Sequence, residues 1–448
     1  MDWIERDLRY NWHPYTQMKD CENLPPILIE RAEGIKFYDS EGNAYYDTIS
    51  SWWCNVHGHN HPKIIQAIND QLDSLEHVLF AGFTHKPAIL LAEALVDIAP
   101  SRLRKVFFSD NGSTAVETAL KISFQYWQNT GRPRRSKFIS LENAYHGDTV
   151  GAMSLAGRNP FNKIFAPLFF DSFRVPSPNC PHCPMKKTKE NCRLECSEPL
   201  EKLLRKKNKE IAGIILEPLL QAAGGMVIYP IEYLRKVAEL ATTYQVHLIV
   251  DEVATGFGRT GKMFAVEHAG VEPDLMCLSK GITGGYLPLG ATLVTNEIYY
   301  AFYDDYTQNK TFFHGHTYTA NPLACAAALA SLDIFEEERA LERISQLIPI
   351  FHKKMEGFRH LPLVEDVRYI GMIGALELKS LSGEERMELK VHREGLKEGL
   401  ILRPLGNVVY LFLPLCTKEE ELEEIVHRCH RVLDRLKIET EQNLLTRE

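Results

Sequence analysis

Short apolar runs recur along the first two thirds of the chain, and each ends in polar or charged residues. The runs cover residues 105–108, 137–140, 211–216, 246–250 and 274–279. Their length and composition are typical of buried strands. After the first run, apolar or small residues recur with the spacing i, i+3, i+4 and i+7 from residue 116 on, which predicts a helix that begins near residue 112.

A lysine ends the last of these runs, where a solubilising charge is unexpected. Lys280 follows the run 274–279 and precedes the glycine-rich stretch 281–285. A lysine that enters a pocket loses hydration and its pKa falls, so the free amine can form a Schiff base with a carbonyl compound. The alternative is an exposed lysine beside a loop, because most lysines are simply solvated.

A carboxylate occupies the same kind of position 29 residues earlier. Asp251 follows the run 246–250 and precedes the glycine-rich stretch 254–261. A carboxylate beside the ring nitrogen of pyridoxal phosphate keeps that nitrogen protonated, and the protonated ring accepts electrons when a substrate loses its alpha proton. Together, Lys280 and Asp251 therefore predict a pyridoxal-phosphate site.

The other three runs end in groups that suit the same cofactor. Gly112 and Ser113 stand at the start of the predicted helix, where free N–H groups and the helix dipole can hold a phosphate, although a serine there is often only an N-cap. Tyr145 offers a ring to lie on a pyridine face, or packs at a sheet edge. Glu217 follows the run 211–216. Since ligands bind outside the carboxyl ends of parallel strands, the five ends describe one site.

The chain resembles the class III aminotransferases, which depend on pyridoxal phosphate and have fold type I, over nearly its whole length. The stretch 249–261, Pro273-Asp274 and Ser279-Lys280-Gly281 carry the motifs of that family. Within it, segments 12–17, 50–53, 77–80 and 145–148 are similar to members that aminate 8-amino-7-oxononanoate in biotin biosynthesis.

The resemblance implies an α/β fold. A large domain at 66–334 would contain a mainly parallel sheet flanked by helices, and residues 1–65 and 335–448 would form a smaller α+β domain. In the C-terminal part, the pattern predicts helices at 336–358 and 418–437 and strands at 373–378 and 408–412.

The resemblance also assigns roles to single residues of the cofactor site. It implies that Lys280 bonds to the cofactor, Asp251 pairs with the pyridine nitrogen, Gly112 and Ser113 hold the phosphate, and Tyr145 covers the ring.

In the segment before residue 318, the resemblance places Gly315 beside the substrate and His316 beside the cofactor. Thr317 would reach the phosphate of the neighbouring subunit, in a homodimer with shared active sites.

For the substrate, the family's pattern places Tyr15 and Trp52 along the aliphatic chain and Arg403 at its carboxylate. A guanidinium suits a carboxylate because it donates two parallel hydrogen bonds. The alternatives are a surface ion pair for Arg403 and an ordinary core position for Trp52. By analogy, Glu217 would tune the cofactor's phenolic oxygen or a nearby arginine such as Arg259.

The implied reaction is a two-stage exchange in which a donor amine leaves its nitrogen on the cofactor, as pyridoxamine phosphate, and the keto substrate then takes it. Lys280 moves the proton in both stages. His314-Gly315-His316 precedes Thr317 where many members that use S-adenosylmethionine have proline, so the donor is S-adenosylmethionine or lysine. The alternatives are a general omega-amino acid or polyamine aminotransferase that uses pyruvate or 2-oxoglutarate, and an isomerase that moves an amino group within one molecule.

Length, charge and composition bear on the number of domains, on nucleic-acid binding and on the location of the protein. The 448 residues suggest two or three domains of about 150 residues each. The 51 basic and 59 acidic residues give a net charge of −8, which argues against non-specific nucleic-acid binding. No window approaches about 18 uncharged apolar residues, and five of the first nine residues are charged, so we expect no membrane span, no signal peptide and a cytoplasmic protein.

Four of the ten cysteines are clustered. Cys180, Cys183, Cys192 and Cys196 have the spacing C-x2-C and C-x3-C, which has some likeness to a structural zinc site. A reduced or redox-sensitive surface loop is the alternative, and we expect no metal.

Overall fold

The computed structural model describes residues 2–159, 161–188, 190–379 and 386–445, with side chains up to residue 436. Within this part of the chain there are fifteen strands: β1 Ile29–Glu33, β2 Lys36–Asp39, β3 Ala44–Tyr46, β4 Leu103–Ser109, β5 Lys137–Leu141, β6 Phe173–Val175, β7 Ile211–Leu216, β8 Leu220–Gln221, β9 Val227–Ile228, β10 His247–Asp251, β11 Leu275–Leu278, β12 Gly290–Thr295, β13 Val364–Ile370, β14 Ile373–Leu378 and β15 Val408–Phe412.

Helices connect and cover these strands. The α-helices are Trp3–Tyr10, Pro62–Leu72, Lys86–Ile98, Gly112–Asn129, Val150–Ser154, Glu198–Lys207, Ile231–Tyr244, Asn296–Tyr300, Pro322–Glu337, Ala340–Gly357, Met387–Lys397 and Glu419–Leu445. Short 3-10 helices are Met18–Glu22, Lys163–Leu168, Glu195–Ser197, Ala265–His268, Lys280–Thr283, Tyr306–Gln308 and Phe358–His360. No helix in the described ranges has both the length and the apolar composition that crossing a membrane requires.

The central sheet has seven strands in the order β4-β12-β11-β10-β7-β5-β6. Only β12 is antiparallel to its neighbours, β11 and β4, so the other six strands run in one direction. β4 is an edge strand that pairs with β12 alone. The predicted α/β fold with a mainly parallel sheet is confirmed, and the carboxyl ends of all five predicted strands lie at one edge.

The strands of the sheet centre are apolar at nearly every position because both of their faces are covered. Every residue of β7, β10, β11 and β12 is buried. Helix Gly112–Asn129 begins where the sequence predicts it, and Asn111 caps it: the Asn111 Oδ1 accepts from the Thr114 N–H at 3.0 Å, and the Thr114 Oγ1 accepts from the Asn111 N–H at 2.9 Å.

The C-terminal part has its own three-stranded antiparallel sheet, β13-β14-β15. The strands at 373–378 and 408–412 match the sequence prediction. The helix predicted at 336–358 is present as Ala340–Gly357, but its predicted start is wrong, because Arg339, with φ of 49°, separates it from the preceding helix Pro322–Glu337. The last helix begins at Glu419 and extends beyond the predicted end, to Leu445. The division into domains stays a prediction.

Candidate active site

A cavity of about 420 Å³ opens at the carboxyl edge of the central sheet. Its wall includes five residues that the sequence predicts for one site: Gly112, Ser113, Tyr145, Asp251 and Lys280. They are far apart in sequence and meet because β4, β5, β10 and β11 end at the same edge. The volume is within the usual range for small-molecule and cofactor sites.

Lys280 leaves β11 with a positive φ of 46°, which L-residues rarely adopt. Its Nζ lies 4.7 Å from the ring centroid of Trp53. Burial lowers the pKa of the Lys280 ammonium, and the negative charge of Asp251 only partly opposes this effect. A larger fraction of this amine is therefore uncharged and nucleophilic than for an exposed lysine.

Asp251 is buried at the end of β10 and is held by two donors. His146 Nδ1 lies 2.7 Å from its Oδ2, and the backbone N–H of Val253 donates to its Oδ1 at 3.1 Å. The Nε2 atom of His146 is also buried and has no hydrogen-bond partner in the part of the chain that the structure describes. These contacts fix the orientation of the carboxylate within the cavity wall.

Two glycines allow close approach at the helix end of the cavity. A Cβ atom on Gly112 would lie 2.7 Å from Val253 Cγ1, and one on Gly147 would lie 1.8 Å from Ser113 Oγ. The same Ser113 Oγ accepts from the backbone N–H of Asp148 at 3.0 Å. Glycine is therefore required at both positions because Val253 and Ser113 fill the space, and the helix start that lines the cavity is where the helix dipole favours an anion.

Glu217 lies in the cavity wall, away from water. The backbone N–H groups of Tyr145 and Ala222 donate to its two oxygens, each at 3.1 Å. Burial, followed by the negative charge of Asp251, raises the pKa of Glu217 well above its usual value. The Glu217 carboxyl group is thus held next to Tyr145, in a form that resists ionisation.

The three predicted substrate residues lie together at the outer side of the site. The rings of Tyr15 and Trp52 meet edge to face, with centroids 5.7 Å apart. The Arg403 guanidinium lies 4.7 Å from the Trp52 centroid, and its Nη2 donates to the Tyr15 carbonyl at 3.5 Å. The Tyr15 hydroxyl donates to the Asp148 carboxylate at 2.7 Å, and burial with this contact raises the pKa of Tyr15 to about 12.

Trp52 and Trp53 belong to a left-handed helical turn, Ser50–Trp53. The four φ angles are 50°, 48°, 71° and 73°, and Cys54 N–H donates to the Ser50 carbonyl at 2.9 Å. Each non-glycine residue in this conformation costs about 1–2 kcal/mol. Trp52 is 38% exposed and Trp53 only 4%, so Trp52 is not an ordinary core residue, whereas Trp53 is buried under Lys280.

Arg259 braces this turn and has no described hydrogen bond to Glu217. Its Nη1 donates to Ser50 Oγ at 3.0 Å and to the Leu413 carbonyl at 2.8 Å, and its Nη2 donates to the Asn55 carbonyl at 2.5 Å. Burial lowers the pKa of Arg259 to about 10. Neither the contact of Arg259 with the turn nor that of Trp53 with Lys280 was predicted from the sequence. The signal available for them was the pair of adjacent tryptophans.

The segment Gly315–Thr317 lies outside the cavity wall of its own chain. Gly315 and Thr317 are exposed, and His316 Nδ1 lies 3.0 Å from Asp110 Oδ2 in the loop that precedes the helix Gly112–Asn129. His316 thus contacts the loop predicted for the phosphate. The roles expected for Gly315 and Thr317 stay predictions.

The clustered cysteines lie in the segment before helix Glu198–Lys207. Cys196 is buried, Cys183 is partly exposed, and Cys180 and Cys192 are exposed. Burial, with a smaller contribution from the other three thiols, raises the pKa of Cys196 to about 12. Across the described ranges, no group of three or more His, Cys, Asp or Glu side chains is arranged to hold a metal ion.

The residues of the cavity fit pyridoxal phosphate. The wall provides an amine of lowered pKa, a buried carboxylate and a helix start built with glycine, and these three groups suit the aldehyde, the ring nitrogen and the phosphate. The buried and unpartnered Nε2 of His146 adds a polar atom that the described part of the chain does not itself satisfy.

Comparison with known proteins agrees with this geometry. The family "Aminotransferase class-III" matches residues 17–433. The adenosylmethionine-8-amino-7-oxononanoate aminotransferase of Geobacter sulfurreducens is 47% identical over 433 residues, which cover 95% of each chain.

Two solved structures share the fold. The crystal structure of the enzyme of that name from Methanocaldococcus jannaschii has a TM-score of 0.91 and 40% identity, and covers 96% of this chain and 98% of that one. The omega transaminase of Pseudomonas jessenii in complex with PMP has a TM-score of 0.92 and 33% identity, with 99% of each chain covered. The chain therefore belongs to the class III aminotransferases, which are enzymes that depend on pyridoxal phosphate.

Proposed function

We propose that this aminotransferase converts 8-amino-7-oxononanoate to 7,8-diaminononanoate. The observation that carries the proposal is the position of Arg403, which lies on Trp52 and beside Tyr15 at the outer side of the Lys280 cavity. A keto acid of this length has its ketone at one end and its carboxylate at the other. The relatives of that name, 41–47% identical over nearly the whole chain, support the same substrate.

Lys280 is the residue that moves the proton. When bound, pyridoxal phosphate supplies a carbonyl group that takes up the amine and a ring that accepts the electrons of the broken C–H bond. The lowered pKa of Lys280 allows its amine to take a proton from the substrate carbon, and the ammonium that results can give a proton back in the second half of the reaction. One group thus acts as base and then as acid.

The other wall residues hold the reactants in place. Asp251, oriented by His146, provides the negative charge for the ring nitrogen. Gly112 and Ser113, which line the cavity, would hold the phosphate, and Tyr145 would cover the ring face. Arg403 fixes the far carboxylate, while Trp52 and Tyr15 line the aliphatic chain and exclude water from it.

For the amino donor, we propose S-adenosylmethionine, with lysine as the alternative. The names of the relatives include adenosylmethionine, which supports the first. The sequence His314-Gly315-His316 before Thr317, where many members that use S-adenosylmethionine have proline, supports the second.

The test is a half-reaction of the holoenzyme, followed by the visible absorption of the bound cofactor. We expect 7,8-diaminononanoate to shift the absorption to the pyridoxamine form, and whichever of S-adenosylmethionine and lysine does the same is the donor. In Arg403→Ala, the diamine concentration that gives half of this absorption shift should rise at least about tenfold, since the loss of a charge-assisted pair costs more than about 1.4 kcal/mol.

A simple alkylamine without a carboxylate is the control for that variant, and its response should not depend on Arg403. If the diamine gives no shift in the wild-type enzyme, the chain is a general omega-aminotransferase, a class to which the Pseudomonas jessenii enzyme belongs by name.

We also propose a homodimer with shared active sites. Large apolar side chains remain exposed beside Tyr15, including Trp12 at 88% and Phe161 at 63%, which line one surface pocket with it. Contiguous exposed apolar surface of this kind marks an interaction site. Sedimentation of the holoenzyme should give twice the mass of the chain, and a monomer would contradict the proposal. The cytoplasmic location stays a prediction.

A further inference from the structure

We propose that Asp47 is a positioning residue of the active site. It holds Ser50–Trp53 in its left-handed form, so that one tryptophan ring lies against Lys280 and the other against Arg403. Its effect on Lys280 depends only on the structure of the turn. Its effect on Arg403 rests on the proposed function, in which that guanidinium binds the substrate carboxylate.

Asp47 is 1% exposed and its carboxylate accepts three hydrogen bonds. The backbone N–H of Ser51 donates to Oδ1 at 2.8 Å, and the Ser51 hydroxyl donates to Oδ2 at 2.8 Å. His59 Nε2 lies 2.9 Å from the same Oδ2. The carboxylate thus binds the N–H group of the second residue of the turn, which the turn itself leaves without a partner.

His59 is itself fixed from outside the turn. The Asn55 side-chain amide donates to its Nδ1 at 3.2 Å, so Nε2 carries the proton that is donated to Asp47. Its ring lies 4.6 Å from that of Phe37, and its backbone exchanges two hydrogen bonds with Gly34, at 3.1 and 2.7 Å. The position of Asp47 is therefore set by the N-terminal hairpin β1-β2.

The turn needs such external bonds because its own residues disfavour it. None of its four residues is a glycine, and all four have φ between 48° and 73°. Arg259 binds the Ser50 hydroxyl and Asp47 binds Ser51, so two buried charged groups secure the first half of the turn. A residue in a sparsely populated backbone region persists only where its surroundings determine it.

The two indole rings connect the turn to Lys280 and Arg403. Trp53 lies under Lys280 Nζ and Trp52 under the Arg403 guanidinium, each at 4.7 Å. If Ser51 and Trp52 returned to right-handed or extended backbone, both rings would leave these positions. Asp47 touches neither substrate nor cofactor in this arrangement and acts through Ser51.

The experiment compares Asp47→Ala with wild-type holoenzyme. With 8-amino-7-oxononanoate as the substrate, we expect KM to rise about tenfold or more, with a smaller fall in kcat, because misplacing a binding group by about 1 Å has effects of this size. Hydrogen–deuterium exchange of the peptide 47–58 should lose its protection in the variant, before any substrate is added.

The matched control is Asp39→Ala. Asp39 accepts four hydrogen bonds from Glu41, Asn43 and Tyr45, but these bonds stay within the exposed loop between β2 and β3. This variant should keep both the wild-type KM and the protection of the peptide 47–58. If Asp47→Ala does not fold, Asp47→Asn keeps the acceptor for the Ser51 N–H and should show the same changes at a smaller size.

A second substitution separates positioning from other roles. Glycine adopts positive φ without strain, so Ser51→Gly added to Asp47→Ala should bring KM part of the way back to its wild-type value. No recovery, or an Asp47→Ala enzyme with unchanged KM and protection, would overturn the proposal. If the wild-type enzyme does not act on the keto acid, the proposed function fails, and the exchange experiment still decides the role of Asp47.

Discussion

Lys280→Ala should lower kcat by on the order of 10⁴-fold or more while the protein still folds. The wild-type amine has a pKa lowered by burial, and it lies at the end of β11 beside Asp251 and Trp53. Alanine removes both the covalent link to the cofactor and the group that moves the proton. The measurement is the steady-state rate, together with the visible absorption of the purified protein, which should lose the band of the lysine-bound cofactor.

Lys105→Ala is the matched control for this loss. Lys105 is also a lysine of the central sheet, and its Nζ lies 4.6 Å from the ring centroid of Tyr299, but it does not line the cavity. Its removal should leave kcat near the wild-type value. A small primary amine in the buffer should restore part of the rate of Lys280→Ala only, because it can move the proton without being part of the chain. An unchanged visible band in Lys280→Ala would show that Lys280 does not bind the cofactor covalently, and would contradict its proposed role.

Asp251→Asn should lower kcat by about 10²–10³-fold, the size of effect expected when one fixed charge is removed from a site where charge develops. Asparagine keeps the size of the side chain but loses the negative charge, and its single oxygen can keep only one of the two hydrogen bonds that Asp251 accepts from His146 and from the Val253 N–H. Without that charge the pyridine nitrogen of the cofactor loses its proton more easily, and the ring accepts electrons less well. The measurement is kcat, with the absorption of the bound cofactor as a function of pH.

Asp274→Asn provides the comparison for Asp251. Asp274 precedes β11, accepts from the Leu248 N–H at 2.8 Å and pairs with Arg102, all at the opposite edge of the sheet from the cavity. This variant should lower stability without a comparable loss of kcat. Equal losses in the two variants would mean that the effect of Asp251→Asn comes from folding.

The strand ends were predictable from sequence because their signal is local. An apolar run followed by Lys280, Asp251 or Glu217 is visible in the sequence, and a parallel sheet brings such ends to one edge. Trp53 and Arg259 were not predictable in the same way, since a left-handed turn at Ser50–Trp53 depends on bonds from remote residues. The break at Arg339 was missed because the charged run 336–339 contains no glycine or proline to mark a helix end.

The place of β12 in the sheet also determines when the site can form during synthesis. β4 leads into the phosphate-binding helix start and pairs only with β12, which follows it by more than 180 residues. Until residue 295 has left the ribosome, the edge of β4 that pairs with β12 is unpaired, and β4 has no link to β11, the strand that Lys280 follows. Such a long-range pairing closes slowly. The enzyme therefore acquires its cofactor late, after about two thirds of the chain has been made, and depends until then on protection of that edge against aggregation.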